Sequence, residues 1–183
     1  MKVAALYSFN RGCEDIRRDH PHLIDEVYSI VASVALPVVQ RPRSRFRNDV
    51  LEGVLPADTI NEIVEQAFHD EGWRGKRILC RYALYGRVSQ HNTRFRTYRE
   101  IKFAKDNVGI EVEFGDFPTT ALAKFTIFKR KGLINAGIEI LPIQALAQQF
   151  SRRVSYFEQF VWDLKIRGVS NIDIPVLIMG VDK

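Results

Sequence analysis

The sequence predicts an α/β domain built around a central mixed β-sheet flanked by helices. Short apolar segments of strand length alternate along the chain with segments whose apolar residues recur at helical spacing. No linker, internal repeat or low-complexity segment divides the 183 residues, so we expect a single domain over 1–183. The hydrophobic fraction of 46% is ordinary for a globular protein and excludes wholesale disorder.

The first half of the chain predicts a strand followed by two helices. Residues 1–7 form a short apolar run of strand length. Pro21 suits the first turn of a helix. The apolar stripe of that helix is Leu23, Val27, Ile30, Val31 and Val34. Residues 37–55, with prolines at or near both ends, are predicted to form a loop. A second helix is predicted to begin near 56–58 and to end at Asp70.

The second half alternates further strands with helices. The strands are expected at 77–83, 98–104, 108–114, 135–141 and 173–181. The helices are expected at 119–131, 142–150 and 155–167. Asp106 and Asn107 are residue types that tight turns favour, so the strands on either side of them are expected to form a hairpin.

Composition bounds the partners and the cellular setting. The formal net charge of +5 and the sequence pI near 9.3 favour a polyanionic partner. No apolar run reaches membrane-spanning length, and residues 1–20 lack the apolar block of a signal peptide, so we expect no membrane partner. Cys13 and Cys80 lie far apart without metal-ligand spacing, which fits a reduced, cytoplasmic protein.

Arginines cluster in two places outside the predicted helices. The clusters consist of Arg41, Arg43, Arg45 and Arg47, and of Arg94, Arg96 and Arg99. Because loop arginines can follow a phosphate backbone and reach base edges, Arg43, Arg45 and the whole second cluster are candidate DNA-binding residues. The alternative is a pair of solvated basic loops that keep the chain soluble. The basic residues of the helix at 119–131, Lys124 among them, are expected to be plain solvent charges.

Two carboxylates stand one residue apart inside an apolar run, Ile110-Glu111-Val112-Glu113-Phe114. In a strand, Glu111 and Glu113 share one face, while Ile110, Val112 and Phe114 share the other. Like charges on a buried strand need a positive compensator, and such hard oxygen ligands suit Mg²⁺. The alternative is an edge strand with one wet face.

The segment from Val108 to Pro118 resembles the nuclease motif of Bgl-type and Bam-type restriction endonucleases, which belong to the Asp/Glu-x-Lys nuclease superfamily. In that motif a metal-binding glutamate and a second residue flank one small apolar residue, and an aromatic-containing turn leads into a helix. The resemblance continues in order through Lys124–Phe128, Gly137–Pro142, Ser155–Leu164 and Asn171–Val176. It covers roughly residues 75–181.

The resemblance implies a restriction-endonuclease-like core that works as a homodimer on double-stranded DNA. Such type II enzymes hydrolyse one phosphodiester per strand at a short palindromic site with a GATC core, and they use Mg²⁺. By the same resemblance, Glu111 is a catalytic metal ligand and the backbone carbonyl of Val112 coordinates the same ion. Glu113 would position or deprotonate the attacking water, which is the role of a general base.

One position departs from the family pattern. The family places a metal-binding aspartate nine residues before the glutamate, and this sequence has Lys102 there. Lys102 is therefore a candidate catalytic residue in its own right, one that stabilises transition-state charge. Asp106 is a candidate replacement metal ligand. Other candidates for the missing ligand are Glu100 and an acidic residue of the helix before it, Glu62 or Glu65.

Lys102, in place of the family's aspartate, also supports an alternative function. The chain would then be a catalytically inactive member of the same fold, one that binds duplex DNA sequence-specifically without cutting it. A third alternative is an unrelated α/β binding domain in which the Glu-x-Glu pair is coincidental.

Overall fold

The structure, a computed structural model, describes residues 1–44, 47–83, 94–115, 119–150, 153–167 and 172–183. Its strands are β1 (Lys2–Phe9), β2 (Val39–Ser44), β3 (Arg47–Val54), β4 (Arg74–Ala83), β5 (Arg94–Lys105), β6 (Val108–Val112), β7 (Ala136–Pro142) and β8 (Val176–Asp182). Its helices are α1 (Gly12–Asp19), α2 (Pro21–Ser33), α3 (Ala57–Asp70), α4 (Thr119–Arg130), α5 (Gln144–Ala147) and α6 (Phe157–Arg167).

Six of the strands form one sheet in the order β1-β8-β7-β6-β5-β4. The three inner strands β8, β7 and β6 run parallel to one another. At the edges, β1 pairs antiparallel with β8, and β5 and β4 continue antiparallel from β6. β2 and β3 form a separate two-stranded hairpin. The predicted mixed sheet is therefore confirmed.

Helices cover both faces of this sheet. On one face, called here the α1–α3 face, Ile16, Val27 and Phe68 join Ile110 and Val112 of β6 in a single buried cluster. The other face, called here the α4–α6 face, is covered by a second cluster. Its helical members include Leu122, Phe125, Phe128, Phe160 and Leu164. Cover on both faces explains why β6 and β7 are buried along their whole length.

A tight turn joins β5 to β6. Asp106 and Asn107 have φ angles of 46° and 64°, a left-handed conformation that Asn and Asp tolerate better than most residues. Lys105 and Val108 form the pair next to the turn. The predicted hairpin around Asp106 and Asn107 is confirmed.

A β-bulge interrupts the alternation of β5. Ile101 pairs with Lys76 but Ala104 pairs with Arg74, so β5 contains one residue more than β4 in this stretch. Because the extra residue reverses the alternation, Ile101 packs on the α4–α6 face whereas Phe103 packs on the α1–α3 face.

Several local expectations were wrong. The predicted loop at 37–55 contains the β2–β3 hairpin, in which Pro42 is accommodated because each strand of a two-stranded hairpin is an edge. α1 was not predicted, since it is short and Ile16 is its single buried large apolar residue. The helix expected at 142–150 is reduced to the single turn of α5.

Candidate active site

Glu111 lies in the interior of the sheet, on β6 between β5 and β7. Ile110, Val112 and Phe114 are buried on the α1–α3 face, so alternation directs Glu111 to the α4–α6 face. The residue is only 2% exposed. The edge-strand alternative is therefore wrong, and the charge of Glu111 has to be compensated inside the protein.

Two donors bind the Glu111 carboxylate. The Nζ of Lys124 on α4 donates to Oε2 at 2.7 Å, and the backbone N–H of Lys102 on β5 donates to Oε1 at 3.1 Å. Lys102 stands one position beyond the Phe103–Ile110 pair, so it is opposite Glu111, as the nine-residue spacing predicts. Its side chain is exposed. The cation that neutralises Glu111 is therefore Lys124, and Lys102 contributes its backbone.

Close packing of α4 on the sheet brings Lys124 to this position. Leu122, Phe125 and Phe128 anchor the helix in the core. A Cβ on Gly137 of β7 would come within 2.6 Å of the Phe125 ring, so the glycine is what lets α4 approach β7 closely. The Lys124 side chain is only 24% exposed. The expectation that Lys124 is a plain solvent charge is wrong.

Glu139 stands beside Glu111 on the neighbouring parallel strand. The two residues are register partners, so their side chains leave the same face of the sheet from strands about 4.8 Å apart. Glu139 is fully buried, and among the described residues neither carboxyl oxygen has a hydrogen-bond partner. Burial, reinforced by the charges of Glu111 and Glu113 and opposed by Lys124, raises the pKa of the Glu139 carboxyl well above its ordinary value.

Glu113 follows directly after β6. Its backbone N–H donates to the Ile140 carbonyl at 3.0 Å, which extends the contact with β7 by one residue. The side chain is half-buried, and a Cβ on Gly115 would collide with its Oε1. The Gly115 carbonyl accepts the backbone N–H of Ser155 at 2.9 Å, which holds the turn in place. Gly115 thus leaves the space that the Glu113 carboxylate occupies.

Glu111, Glu113, Glu139 and Lys124 are together called the carboxylate site here. Within the described ranges, no three His, Cys, Asp or Glu side chains converge closely enough to hold a metal ion. The donor chemistry nevertheless fits a hard cation. Glu111 already binds an ammonium, and Glu139 supplies buried oxygen atoms that lack a partner in the described part of the chain.

Comparison with known proteins assigns the chain to a family. The sequence profile described as restriction endonuclease BglII/BglIII matches residues 4–181. The chain belongs to this family. The crystal structure of free BglII has the same fold, with a TM-score of 0.63 and 16% sequence identity over 100% of this chain and 80% of that chain. No curated protein sequence matches significantly.

Membership in the BglII/BglIII family and the shared fold indicate a restriction endonuclease, which is a nuclease, and DNA binding follows from that activity. The matched region contains the whole carboxylate site. In the part of the chain that the structure describes, none of the helices has the length and apolarity needed to cross a bilayer.

The BglII-family fold does not bring the other predicted metal ligands to Glu111. Asp106 lies in the β5–β6 turn, where its half-exposed carboxylate is 3.2 Å from the ring of His22. Glu62 and Glu65 are exposed on α3, which packs on the opposite face of the sheet. Asp106 therefore has a local partner in His22, and Glu62 and Glu65 are exposed to solvent.

The predicted DNA-binding arginines that fall within the described residues lie on strands rather than in loops. Arg94, Arg96 and Arg99 belong to a stretch of β5 that, among the described strands, pairs with β4 alone, because β6 pairs with the last residues of β5. Arg99 is exposed. Arg43 lies on β2, and Arg45 is outside the described residues.

The β4–β5 ribbon, defined as 77–83 paired with 94–100, holds further arginines that the sequence analysis did not select. The Arg77 guanidinium lies 3.9 Å from the centre of the Tyr98 ring, and Arg77 pairs with the exposed Glu100. Arg81 pairs with Arg96 across the ribbon. The ribbon therefore concentrates positive charge at the edge of the sheet nearest β6.

Two residues of the carboxylate site were not predicted as site residues. Glu139 is a charged residue inside the apolar strand Ala136–Pro142, and that anomaly could have identified it. Lys124 carries no comparable signal, because a lysine on an amphipathic helix is most often a solvated charge.

Proposed function

We propose that this chain is a Mg²⁺-dependent type II site-specific deoxyribonuclease of the Asp/Glu-x-Lys superfamily, related to Bam-type as well as Bgl-type enzymes. It hydrolyses one phosphodiester per strand of duplex DNA at a short palindromic site with a GATC core. The observation that carries the proposal is Glu111, a buried carboxylate that binds an ammonium and adjoins a second buried carboxylate in the sheet of a nuclease family.

Glu111 and, as the sequence resemblance implies, the backbone carbonyl of Val112 would hold the Mg²⁺. The Lys102 N–H already fixes the orientation of the Glu111 carboxylate. When bound, the ion neutralises charge at the attacking and leaving oxygens of the phosphodiester. Asp106 is left out of this ligand set because it lies in the turn beside His22.

Glu113 is the proposed general base. Its half-buried carboxylate lies at the end of β6, next to the metal ligand and against Gly115. A carboxylate in this position can orient a water molecule and accept its proton as the oxygen attacks phosphorus. Gly115 leaves the space that the Glu113 Oε1 occupies, so the glycine allows the base to be placed there.

The two lysines around Glu111 have different proposed roles. Lys102 is exposed and binds Glu111 through its backbone, and its ammonium would contact the DNA phosphate and stabilise the developing charge. Lys124 is buried more deeply and balances Glu111 from the α4 side. Most enzymes of the superfamily have a lysine at the position that Glu113 occupies here. Lys102 would take over the role of that lysine.

DNA binding is proposed to use two basic ribbons and a two-fold homodimer. Arg94, Arg96 and Arg99 would follow the phosphate backbone along the β4–β5 ribbon, and Arg43 would reach DNA from the β2–β3 hairpin. Arg45, outside the described residues, is proposed as a further DNA-binding residue. A palindromic site requires a two-fold arrangement in which each copy cuts one strand. The expected setting is the cytoplasm.

Cleavage of long unmethylated duplex DNA tests the proposal, first with Mg²⁺ and then with Mn²⁺. The protein as it is should be compared with Glu111→Gln and with Lys102→Asp, which restores the family's carboxylate. Discrete fragments that disappear with Glu111→Gln are expected. Cutting by Lys102→Asp alone would show that this chain is an inactive form of a restriction enzyme. Absence of cutting by both folded proteins would overturn the nuclease proposal.

The second candidate function is sequence-specific binding of duplex DNA without cleavage. The observation that favours it is Lys102, which stands where the family places a metal-binding aspartate, while the Lys124 ammonium already neutralises Glu111. An electrophoretic shift of a duplex containing the recognition site, with no cleavage under any metal, would identify this function.

A further inference from the structure

Burial of Glu139 destabilises the folded protein. It is 0% exposed, and it lies within a strand, Ala136–Pro142, that is buried along its whole length. Neither of its oxygens has a hydrogen-bond partner within the described residues. A buried polar group without a partner raises the free energy of the folded state, which an apolar residue of similar volume would not do. The carboxyl group therefore indicates a ligand that completes its coordination.

The position of Glu139 identifies where that ligand would lie. Gly137, two residues earlier, faces Phe125 of α4, and Leu141, two residues later, packs in the α4–α6 cluster. Alternation therefore directs Glu139 to the same face as its register partner Glu111. Two carboxyl groups thus project side by side into the space under α4.

The ammonium of Lys124 lies beside these two carboxyl groups and binds one of them. The Nζ of Lys124 is 2.7 Å from Oε2 of Glu111, and it makes no hydrogen bond to Glu139, whose oxygens have no partner in the described part of the chain. The Lys124 side chain is 24% exposed, so its flexible stem reaches the surface. A monovalent, partly exposed cation is a group that a divalent ion can displace.

We propose that Glu139 is a second carboxylate ligand of the divalent cation, and that the ion displaces the Lys124 ammonium from Glu111 when it binds. The inference rests on the proposed function, which assigns Glu111 to the metal. The second carboxylate comes from β7, on the opposite side of β6 from Lys102. A divalent ion between Glu111 and Glu139 balances both charges, which Lys124 alone does not.

Binding of Mn²⁺ to the full chain without DNA tests this inference. Bound and unbound Mn²⁺ are measured by electron paramagnetic resonance, with calorimetric titration as a second readout, at a pH near 8. The variants are Glu139→Gln, Glu139→Asp and Glu111→Gln. Glu65→Gln is the matched control, because it removes one exposed carboxylate on the opposite face of the sheet. Circular dichroism establishes that each variant is folded.

The expected result is a loss of Mn²⁺ affinity of at least about tenfold in both Glu139→Gln and Glu111→Gln, an intermediate loss in Glu139→Asp, and no change in Glu65→Gln. Mn²⁺ bound equally well by the chain as it is and by Glu139→Gln, but lost in Glu111→Gln, would overturn this inference and leave the proposed function standing. Absence of Mn²⁺ binding by the unaltered chain would overturn both.

Lys124→Met tests the displacement step and does not depend on the folding of the glutamate variants. Removal of a competing ammonium should raise the Mn²⁺ affinity severalfold. It should also make the gain in melting temperature on adding Mn²⁺ larger than in the unaltered chain. A lower Mn²⁺ affinity in folded Lys124→Met would show that the lysine supports the ion instead of yielding its place, and would overturn the displacement.

Discussion

Glu111 and Glu139 are register partners on parallel strands, yet Lys124 binds Glu111, while Glu139 has no partner among the described residues. Two adjacent buried carboxyl groups with one ammonium carry a surplus of negative charge whenever both are ionised. The raised pKa of Glu139 is the physical consequence, since protonation removes that surplus. The carboxylate site is therefore built for more positive charge than Lys124 supplies.

The glutamine substitution Glu139→Gln should stabilise the metal-free protein at neutral and alkaline pH. The folded-state pKa of Glu139 is raised above 4.5, so the native state binds the proton more tightly than the unfolded state. The stability of the unaltered chain consequently falls as pH rises from 4.5 towards the folded-state pKa, and glutamine removes that loss. Thermal melts from pH 5 to pH 8 should show a gain in melting temperature that grows with pH.

An exposed control separates this effect from a change of net charge. Glu65→Gln removes the same charge from the solvent-exposed side of α3, so its melting temperature should differ from that of the unaltered chain by a small amount that does not vary with pH. A gain for Glu139→Gln that is flat across this pH range would contradict the titration of Glu139.

Replacement of the site lysine, Lys124→Met, should destabilise the metal-free protein by about 1–3 kcal/mol, because Glu111 keeps only the backbone donor of Lys102. Urea denaturation measures the loss. Lys129→Met on the same helix is the matched control, since the Nζ of Lys129 donates to the exposed backbone carbonyl of Asp173 at 2.6 Å and lies 3.8 Å from the exposed Asp173 carboxylate. The control should cost about 0–1 kcal/mol. Equal losses would show that Lys124 is not the counter-ion of Glu111.

The added methyl group of Gly115→Ala should reduce cleavage without unfolding the protein. It would occupy the space of the Glu113 Oε1, and the far end of a flexible side chain can move away at little cost in stability. Because displacement of a catalytic group by about 1 Å can lower a rate by about 10²-fold, the single-turnover cleavage rate should fall by up to that factor. Melting temperature and duplex binding should be retained. An unchanged cleavage rate would show that catalysis does not depend on this placement of the Glu113 carboxylate.

Alanine at Arg94, Arg96 and Arg99 should weaken DNA binding and make it less dependent on salt. Each phosphate contact contributes about 0.9 to the slope of log affinity against log salt concentration, so three lost contacts lower it by about 2.7. Fluorescence anisotropy of a labelled duplex at several salt concentrations measures the slope. The control removes Lys2, Arg17 and Arg18, exposed charges near the other edge of the sheet. Equal slopes in both variants would exclude the β4–β5 ribbon as a phosphate-binding surface.

Local periodicity was sufficient for most of the fold. α2 begins at Pro21 and buries its apolar stripe, and the turn at Asp106 and Asn107 joins β5 to β6 as expected. The failure at the β2–β3 hairpin has a clear physical cause. Prolines are poor strand formers in general but are tolerated on an edge strand, and the sequence around Pro42 does not reveal that β2 pairs only with β3.

What the sequence determined by itself is the Glu111-Val112-Glu113 motif, its apolar neighbours and the lysine at position 102, because all of these lie within one hairpin of known spacing. Only the tertiary structure decided that Lys124 neutralises Glu111 and that Glu139 lies beside it. Those contacts join β6 to α4 and β7, whose positions depend on packing such as that of Phe125 against Gly137. Local spacing does not encode such packing, and the electrostatics of the site depend on it.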